Sequence, residues 1–252
     1  CILMEYATNG SLDGLLARCK SNGNHLVSRK VVHFAEELAG ALDYCHNTLT
    51  IIHRDIKPGN ILIDDLGSLK LTDFGMSKSI GSCNNLAMTF CGSPLYMAPE
   101  QLRTDEQYSF PADMWALGCV VYEIMALSSP WTNGSEPRGF PALVKRILHA
   151  SIDFTSLSER YPRRLVDMTR WLLQRGIDRR ATASDIVALL EMREPPTTSL
   201  SDTLPLSSDV SPSPKVPDVF TPMPPHDEMA QGTTRRQQTI VDDARRLVEA
   251  AT

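Results

Sequence analysis

The chain has 252 residues, of which 42% are hydrophobic, so it can bury the core of one large domain or of a smaller domain with a tail. Its net charge of -5 lacks the basic excess typical of nucleic-acid-binding proteins, and we expect no nucleic-acid partner. The longest apolar run, residues 115–127, is too short to span a bilayer and contains Glu123. No basic-then-apolar leader opens the sequence, so we expect no membrane association.

The six cysteines are scattered singly along the chain. Because no two of them form a C-x-x-C pair, they indicate neither a zinc site nor a disulfide framework. Isolated thiols are typical of a reducing compartment. We therefore expect a soluble cytoplasmic protein, with the cytoskeleton or the nucleus as alternatives.

The predicted elements begin with an apolar strand, residues 1–7, that becomes polar at Glu5. Residues 11–20 predict a short helix capped by Ser11, and apolar residues at helical spacing predict a long amphipathic helix over 28–47. Two short apolar stretches, 61–63 and 69–71, predict a β-hairpin. The histidines of this region are expected to be surface or packing residues rather than metal ligands: His25, His33 and His46.

The second half of the chain begins with an almost wholly apolar stretch, residues 108–127, which predicts a helix buried on all sides. Shorter helices are predicted over 139–150, 162–174 and 182–192. After Glu194 the composition changes, since nine of the seventeen prolines fall between Pro195 and Pro225. Such a segment buries little apolar surface, so we expect residues 194–232 to be disordered, followed by a short helix within 233–252.

The most informative residues flank the predicted hairpin. They read His53-Arg54-Asp55-Ile56-Lys57-Pro58-Gly59-Asn60 before it, Asp73-Phe74-Gly75 after it, and Ala98-Pro99-Glu100 further on. Each short motif can occur by chance, but the ordered set at this spacing is specific. The set resembles the catalytic loop, the magnesium-binding loop and the end of the activation segment of eukaryotic protein kinases.

The resemblance implies residues that align and neutralise the groups of a phosphoryl transfer from ATP. Asp55 would orient the substrate hydroxyl and take its proton, and Lys57 would steady the γ-phosphate. Asn60 and Asp73 would hold Mg²⁺. Ser93 lies where the family hydrogen-bonds the catalytic Asp and Lys. A lysine at position 57 is the form found in serine/threonine kinases.

The nucleotide side of the site is also implied by the resemblance. Backbone groups between Glu5 and Ala7 would bind adenine, and Leu62 would lie under its ring. No G-x-G-x-x-G or G-x-x-x-x-G-K-[ST] loop occurs in the chain. We therefore expect an α+β, protein-kinase-like fold over residues 1–193 that begins at the hinge. It would consist mainly of the helical C-lobe with a short β-hairpin, and would lack the glycine-rich loop and strand lysine of the N-lobe.

Regulation is implied at Thr89, which matches the activating phosphosite of the family. Arg54 and Lys78 would receive its phosphate, because basic residues that converge on one hydroxyl form a phosphate receiver. The resemblance implies that His53 stacks beneath Phe74.

Other residues would support the loop. Asp113 would bind the backbone of the catalytic loop, and Arg180 would pair with Glu100 to brace the activation segment. Ile177 stands where family members usually have proline, which puts the local turn in question. Glu123 aligns with a position that binds basic substrate residues in some kinases, but we expect it to be a solvated helix glutamate.

Within the kinases, residues 116–127 and 140–148 look most like the NIMA-related (NEK) family, whereas residues 91–97 are similar to unc-51-like and calcium/calmodulin-type kinases. The NEK resemblance implies protein substrates with Ser or Thr, and microtubule, centrosome or basal-body proteins as partners. Two functions remain open: a serine/threonine kinase, or a catalytically inactive C-lobe that binds proteins. The intact set of catalytic residues favours the enzyme, and the absent strand lysine favours the binding module.

Overall fold

The computed structural model describes residues 5–74, 94–102, 109–132 and 136–192, and the backbone of 78–79. Within these residues the chain is mainly helical. The helices are α1 (Leu12–Ser21), α2 (Ser28–Asp43), α3 (Phe110–Ala126), α4 (Phe140–His149), α5 (Thr155–Arg160), α6 (Arg163–Leu172) and α7 (Ala183–Glu191). The strands are β1 (Ile51–Ile52), β2 (Ile61–Ile63), β3 (Leu69–Leu71) and β4 (Lys78–Ser79). The predicted tail segments, 194–232 and 233–252, lie outside the described residues.

Helix α3 is the centre of the hydrophobic core, as its composition predicts. Most of its side chains are buried, and α2 and α6 pack against it. Gly118 makes the close approach of α6 possible, because a Cβ atom there would lie 2.8 Å from Cβ of Leu172. The helix ends at Leu127, which has a left-handed backbone (φ 55°) and donates its N–H to the carbonyl of Glu123. The prediction of a helix buried on all sides is confirmed for its middle, where Glu123 is the exception between Ala112 and Met125, and the two ends of the helix are only partly buried.

The predicted hairpin is present, and its register pairs Ile61 with Leu71 and Ile63 with Leu69. The Asp64 carboxylate closes the turn by accepting the backbone N–H groups of Leu66 and Ser68 at 3.0 and 2.9 Å. Such a side-chain acceptor is typical of tight turns that begin with aspartate.

Both sides of the hairpin are anchored to other elements. Glu37 of α2 accepts the N–H of Leu69 at 2.9 Å. On the opposite edge, the N–H of Asn9 donates to the carbonyl of Ile63 at 3.1 Å, and the N–H of Ile63 donates to the carbonyl of Gly10 at 2.8 Å. The segment after the predicted hinge therefore runs alongside β2, and the hairpin is fixed between this segment and α2.

Several short elements are absent from the sequence predictions. Helix α2 continues into one π-helical turn over Tyr44–Thr48, α5 spans six residues, and β1 pairs antiparallel with β4 through Ile51–Ser79 and Ile52–Lys78. Helices α4, α6 and α7 fall within the predicted ranges. No helix in the described part of the chain is long and apolar enough to cross a membrane.

Candidate active site

A single buried carboxylate holds the start of the catalytic loop. Asp113, in the first turn of α3, is 2% exposed. Its Oδ1 accepts the backbone N–H of Arg54 at 2.9 Å, and its Oδ2 accepts that of His53 at 2.8 Å. His46 donates to the same Oδ2 through Nε2 at 2.9 Å. The contact between Asp113 and the loop backbone that the sequence predicts is therefore present, and His46 completes it.

His46 was missed in the sequence analysis as a supporting residue. It follows Leu38 and Leu42 at intervals of four on the apolar face of the long helix, which is the signal that could have placed it in the core. In the structure it is buried, and its ring packs 4.5 Å from the ring of Phe110. It is a packing residue, as expected, and it also positions Asp113.

The backbone of the site is left-handed at two residues other than glycine. Arg54 has φ 74° and Asp73 has φ 64°. Such conformations cost about 1–3 kcal/mol each and persist where surrounding contacts fix them. Asp113 fixes the backbone at Arg54 by accepting the N–H of Arg54 itself and the N–H of the preceding residue, His53.

His53 links the catalytic loop to the magnesium-binding loop. Its Nδ1 accepts the N–H of Asp55 at 3.3 Å, and its Nε2 donates to the carbonyl of Thr72 at 3.1 Å. Burial lowers the pKa of His53, so the ring stays neutral and can accept at Nδ1. The ring lies 4.7 Å from that of Phe74 in an edge-to-face arrangement. The contact with Phe74 that the resemblance implies is therefore present.

Three of the predicted catalytic side chains meet at one oxygen. Lys57 Nζ lies 2.6 Å from Asp55 Oδ2, and Asn60 Nδ2 donates to the same oxygen at 2.7 Å. Asn60 Nδ2 also donates to the backbone carbonyl of Asp55 at 2.8 Å, which closes the loop on itself. Asp55 and Asn60 are both buried. The loop therefore presents a carboxylate whose position is fixed by two donors.

Asn60 and Asp73 are the residues that could hold Mg²⁺. The N–H of Thr72 donates to the carbonyl of Asn60 at 3.0 Å, so Asp73 follows directly after a residue anchored to Asn60. Because Nδ2 of Asn60 is used by Asp55, its Oδ1 is the atom left to bind a cation. The Asp73 carboxylate is exposed. An amide oxygen and a carboxylate suit Mg²⁺, which prefers oxygen ligands and keeps several waters or phosphate oxygens. These residues therefore fit the ion.

Two of the predicted adenine-binding residues, Glu5 and Leu62, lie near Lys70 of the hairpin. Glu5 is exposed and pairs with Lys70 at 3.1 Å, a contact that the sequence analysis did not anticipate. The hydrogen bond to Glu5 raises the pKa of Lys70. Ala7 and Leu62 are half-buried, and Leu62 pairs with Lys70 across the hairpin. Glu5 and Leu62 thus approach the same residue, Lys70, from two segments.

The predicted ion pair between Arg180 and Glu100 is present and buried. Arg180 Nη2 donates to Glu100 Oε2 at 2.9 Å, and Arg180 Nη1 donates to the carbonyl of Pro111 at 2.7 Å. The guanidinium also lies over the ring of Trp115, 5.0 Å from its centroid. The turn before it forms with isoleucine in place of proline, as a 3₁₀-helix over Ile177–Arg179. Ile177 therefore does not disrupt the turn.

The environment of Glu123 differs from the expectation of a solvated helix glutamate. It is half-buried rather than solvated, and its Oε2 accepts the hydroxyl of Tyr96 at 2.6 Å. Burial raises the pKa of Glu123, and the Tyr96 hydrogen bond partly opposes this effect. Burial and the nearby Glu123 charge raise the pKa of Tyr96. The sequence pattern predicts a surface position for this carboxylate because the partner that it binds lies 27 positions away.

Two residues with predicted roles lie outside the described residues: Ser93 of the catalytic site and the phosphosite Thr89. Of Lys78, only the backbone is described. The pairing of β1 with β4 places Lys78 opposite Ile52, two positions before Arg54.

A family comparison agrees with this geometry. Residues 1–189 match the sequence profile described as the protein kinase domain, and the chain therefore belongs to the protein kinase family.

Its relatives are serine/threonine kinases. It is 37% identical over 136 residues to the probable serine/threonine-protein kinase MARK-C of Dictyostelium discoideum, covering 54% of this chain and 17% of that protein. It is 35% identical over 139 residues to human Nek2, covering 54% of this chain and 31% of the relative. It is 33% identical over 195 residues to mouse Nek11, covering 77% of this chain and 30% of that protein. The chain spans about a third or less of the length of these relatives.

Proposed function

We propose that this chain carries the catalytic loop and substrate-binding lobe of a serine/threonine kinase that transfers the γ-phosphate of ATP to protein hydroxyl groups. The observation that carries the proposal is the convergence of Lys57 and Asn60 on Oδ2 of Asp55, in a loop whose backbone is held by Asp113. A catalytic carboxylate in a kinase must be aligned with both the hydroxyl and the phosphate, and this arrangement fixes its position.

The residues of the site have separate roles in the proposed phosphoryl transfer. Lys57 and Asn60 both contact Oδ2 of Asp55, so we assign Oδ1 to the proton of the substrate hydroxyl. Lys57, which is partly exposed beside that carboxylate, provides a positive charge for the γ-phosphate. Asn60 and Asp73 would hold Mg²⁺, which supplies charge neutralisation of the phosphates when bound. The half-buried Leu62 and the backbone of Glu5 to Ala7 would receive adenine.

Regulation by phosphorylation of Thr89 remains part of the proposal. It is supported by the pairing of Ile52 with Lys78, which brings the backbone of Lys78 to the strand that leads into Arg54. A phosphate carries about -1.5 to -2 charges at neutral pH and would attract both cations.

The NEK-like character is supported by relatives such as Nek2 and Nek11. On that basis we propose protein substrates associated with microtubules, centrosomes or basal bodies, and a cytoplasmic location.

The deciding experiment removes a cation ligand and keeps the shape of the side chain. In the protein that contains this chain, Asp73→Asn should abolish transfer of radiolabelled phosphate from ATP to serine and threonine peptides, because a neutral amide binds Mg²⁺ poorly. The matched control is Asp65→Asn, in the exposed turn between β2 and β3, which should leave the rate unchanged. Undiminished transfer by the Asp73 variant, or transfer to tyrosine peptides alone, would refute the proposal.

A further inference from the structure

Three polar side chains outside the candidate active site form a closed set of hydrogen bonds between α2 and α7. They are Asp43, the last residue of α2, Asn47, in the π-helical turn that follows it, and Ser184, the second residue of α7. Nδ2 of Asn47 donates to Oδ1 of Asp43 at 2.7 Å and to Oγ of Ser184 at 2.9 Å. The Ser184 hydroxyl donates to Oδ1 of Asp43 at 2.6 Å. We call these three residues the α2–α7 triad.

The α2–α7 triad uses every polar hydrogen of its side chains. The amide group of Asn47 has two hydrogens and the hydroxyl of Ser184 has one, and each of them has an acceptor within the triad. Asn47 and Ser184 are exposed and Asp43 is half-buried, so water could serve as their partner instead. Burial therefore does not force this arrangement. Its effect is to tie the end of α2 to a helix that lies 141 positions away along the chain.

Helix α7 gives the triad a fixed anchor. Oγ1 of Thr182 accepts the N–H of Asp185 at 3.2 Å, and Oδ2 of Asp185 accepts the N–H of Thr182 at 2.9 Å. This reciprocal capping box satisfies two backbone donors at the start of the helix and fixes its first turn, where Ser184 lies. The helix also packs against α2. The Ser184 hydroxyl is therefore held in place by contacts that do not involve Asn47.

Asn47 lies next to the histidine that supports the catalytic loop. His46 precedes it in the π-helical turn, and Nε2 of His46 donates to Oδ2 of Asp113 at 2.9 Å. The same carboxylate accepts the backbone N–H groups of His53 and Arg54. A continuous series of contacts therefore leads from the triad, through one turn of helix and one ion pair, to the backbone of the catalytic loop.

The π-helical form of this turn makes the direction of the His46 ring depend on the triad. The N–H of Leu49 donates to the carbonyl of Tyr44, five positions earlier, at 3.1 Å. Such turns are rare and occur mostly as single insertions in α-helices. An α-helix advances about 100° per residue and the wider π turn advances less, so a return to the α-helical form would rotate His46 about the helix axis. The triad opposes this rotation, because it ties Asn47 to a residue before the turn and to a second helix.

We propose that Asn47 and Ser184 are positioning residues for phosphoryl transfer, an inference that rests on the proposed kinase activity. The triad fixes the π-helical turn, the turn directs the imidazole of His46, and the imidazole holds the Asp113 carboxylate that accepts the loop amides. Neither residue belongs to the predicted nucleotide-binding set. Their loss should therefore lower kcat and leave the KM for ATP unchanged.

Steady-state kinetics of the protein that contains this chain tests the proposal. Asn47→Ala and Ser184→Ala should each lower kcat about threefold or more and change the KM for ATP by less than about twofold. Ser184→Thr keeps the hydroxyl group and should stay within about twofold of the original kcat. Thr48→Ala is the matched control, because Thr48 is an exposed residue of the same turn outside the triad. It should also leave kcat within about twofold.

Hydrogen exchange followed by mass spectrometry separates positioning from a general loss of stability. In Asn47→Ala, the peptide of residues 51–55, which contains the two amides held by Asp113, should exchange at least about threefold faster, whereas peptides of α6 should keep their original rate. This measurement requires no phosphoryl transfer, so an inactive original protein would refute the proposed function while the exchange rates still decide the role of the triad. Unchanged exchange in residues 51–55, equal acceleration in α6, or a Ser184→Thr variant as slow in catalysis as Ser184→Ala would overturn the inference.

Discussion

Asp113 is the residue on which the geometry of the catalytic loop depends. Its two oxygens accept two backbone N–H groups and one imidazole N–H, and it is almost fully buried. Replacement by asparagine exchanges one acceptor oxygen for a donor, so at least one of these N–H groups loses its partner. An unsatisfied buried donor costs about 1–3 kcal/mol.

Asp113→Asn should therefore lower the free energy of unfolding by about 1–3 kcal/mol and reduce phosphoryl transfer at least about tenfold. Urea denaturation and initial rates are the measurements. Asp167→Asn, on the exposed side of α6, is the control and should stay within about 0.5 kcal/mol of the original protein. Unchanged stability of the Asp113 variant would show that the loop is held by other contacts.

Glu123 predicts a pH dependence of stability. Its pKa is raised by burial, so the folded chain binds this proton more readily than the unfolded chain. The stability that it contributes is complete below the ordinary glutamate pKa and is lost as pH rises through the raised pKa. At neutral pH the ionised carboxylate is therefore unfavourable compared with a neutral group of the same shape.

Glu123→Gln should be more stable than the original chain at pH 7, because its amide oxygen can still accept the Tyr96 hydroxyl. The difference should shrink as the pH is lowered toward that of ordinary glutamate titration. Urea denaturation at both ends of this pH range measures the effect. Glu159→Gln, at an exposed position of α5, should show no such trend. A variant that is less stable at neutral pH would contradict the assignment of burial as the larger effect.

At the residue scale, motifs made of neighbouring residues were readable from the sequence. Asp55, Lys57 and Asn60 lie within six positions, so a single loop can bring their side chains into contact. The partners of His46 and Glu123 are 67 and 27 positions away, and no local pattern encodes such contacts.

At the scale of elements, the packing of α3 on α6 depends on the missing side chain of Gly118. A methyl group there would come within 2.8 Å of Cβ of Leu172, which lies on a helix that cannot easily move. Gly118→Ala should therefore destabilise the fold by about 1–3 kcal/mol, the usual cost of overpacking a core.

Gly40 provides a control, because its replacement by alanine should have the opposite effect on stability. It is an exposed residue of α2, and a Cβ atom there would meet no other atom within 4 Å. Gly40→Ala should stabilise the chain by up to about 1 kcal/mol, because alanine has the higher helix propensity. Thermal denaturation of the two variants should shift in opposite directions. Equal shifts would show that α6 adjusts to the added methyl group.

The elements that could be predicted are those with a sustained pattern. The apolar sequence of α3 and the helical spacing in α2 extend over seventeen and sixteen residues. Helix α5 has six residues and β1 and β4 have two each, too few for a period to be recognised. The pairing of β1 with β4 also depends on tertiary contacts rather than on a hairpin turn.

At the scale of the whole molecule, burial is concentrated in α3 and decreases toward α1. Thirteen of the seventeen residues of α3 are buried, whereas only Leu12 and Leu16 are buried in α1. Amide exchange in the most buried elements requires global unfolding, whereas exposed elements open locally. Hydrogen exchange followed by mass spectrometry should therefore show α3 as the slowest segment, at least about tenfold slower than α1. Equal rates in the two helices would contradict a core centred on α3.

The carboxylate that holds the catalytic loop lies 60 positions downstream of the first amide that it accepts. At about 5–20 residues per second, the ribosome adds Asp113 about 3–12 s after His53. During that interval the left-handed backbone at Arg54 has no acceptor to stabilise it. The catalytic loop therefore takes its final geometry only after α3 has been synthesised and packed. A ribosome stalled before the codon for Asp113 would display a loop without that geometry.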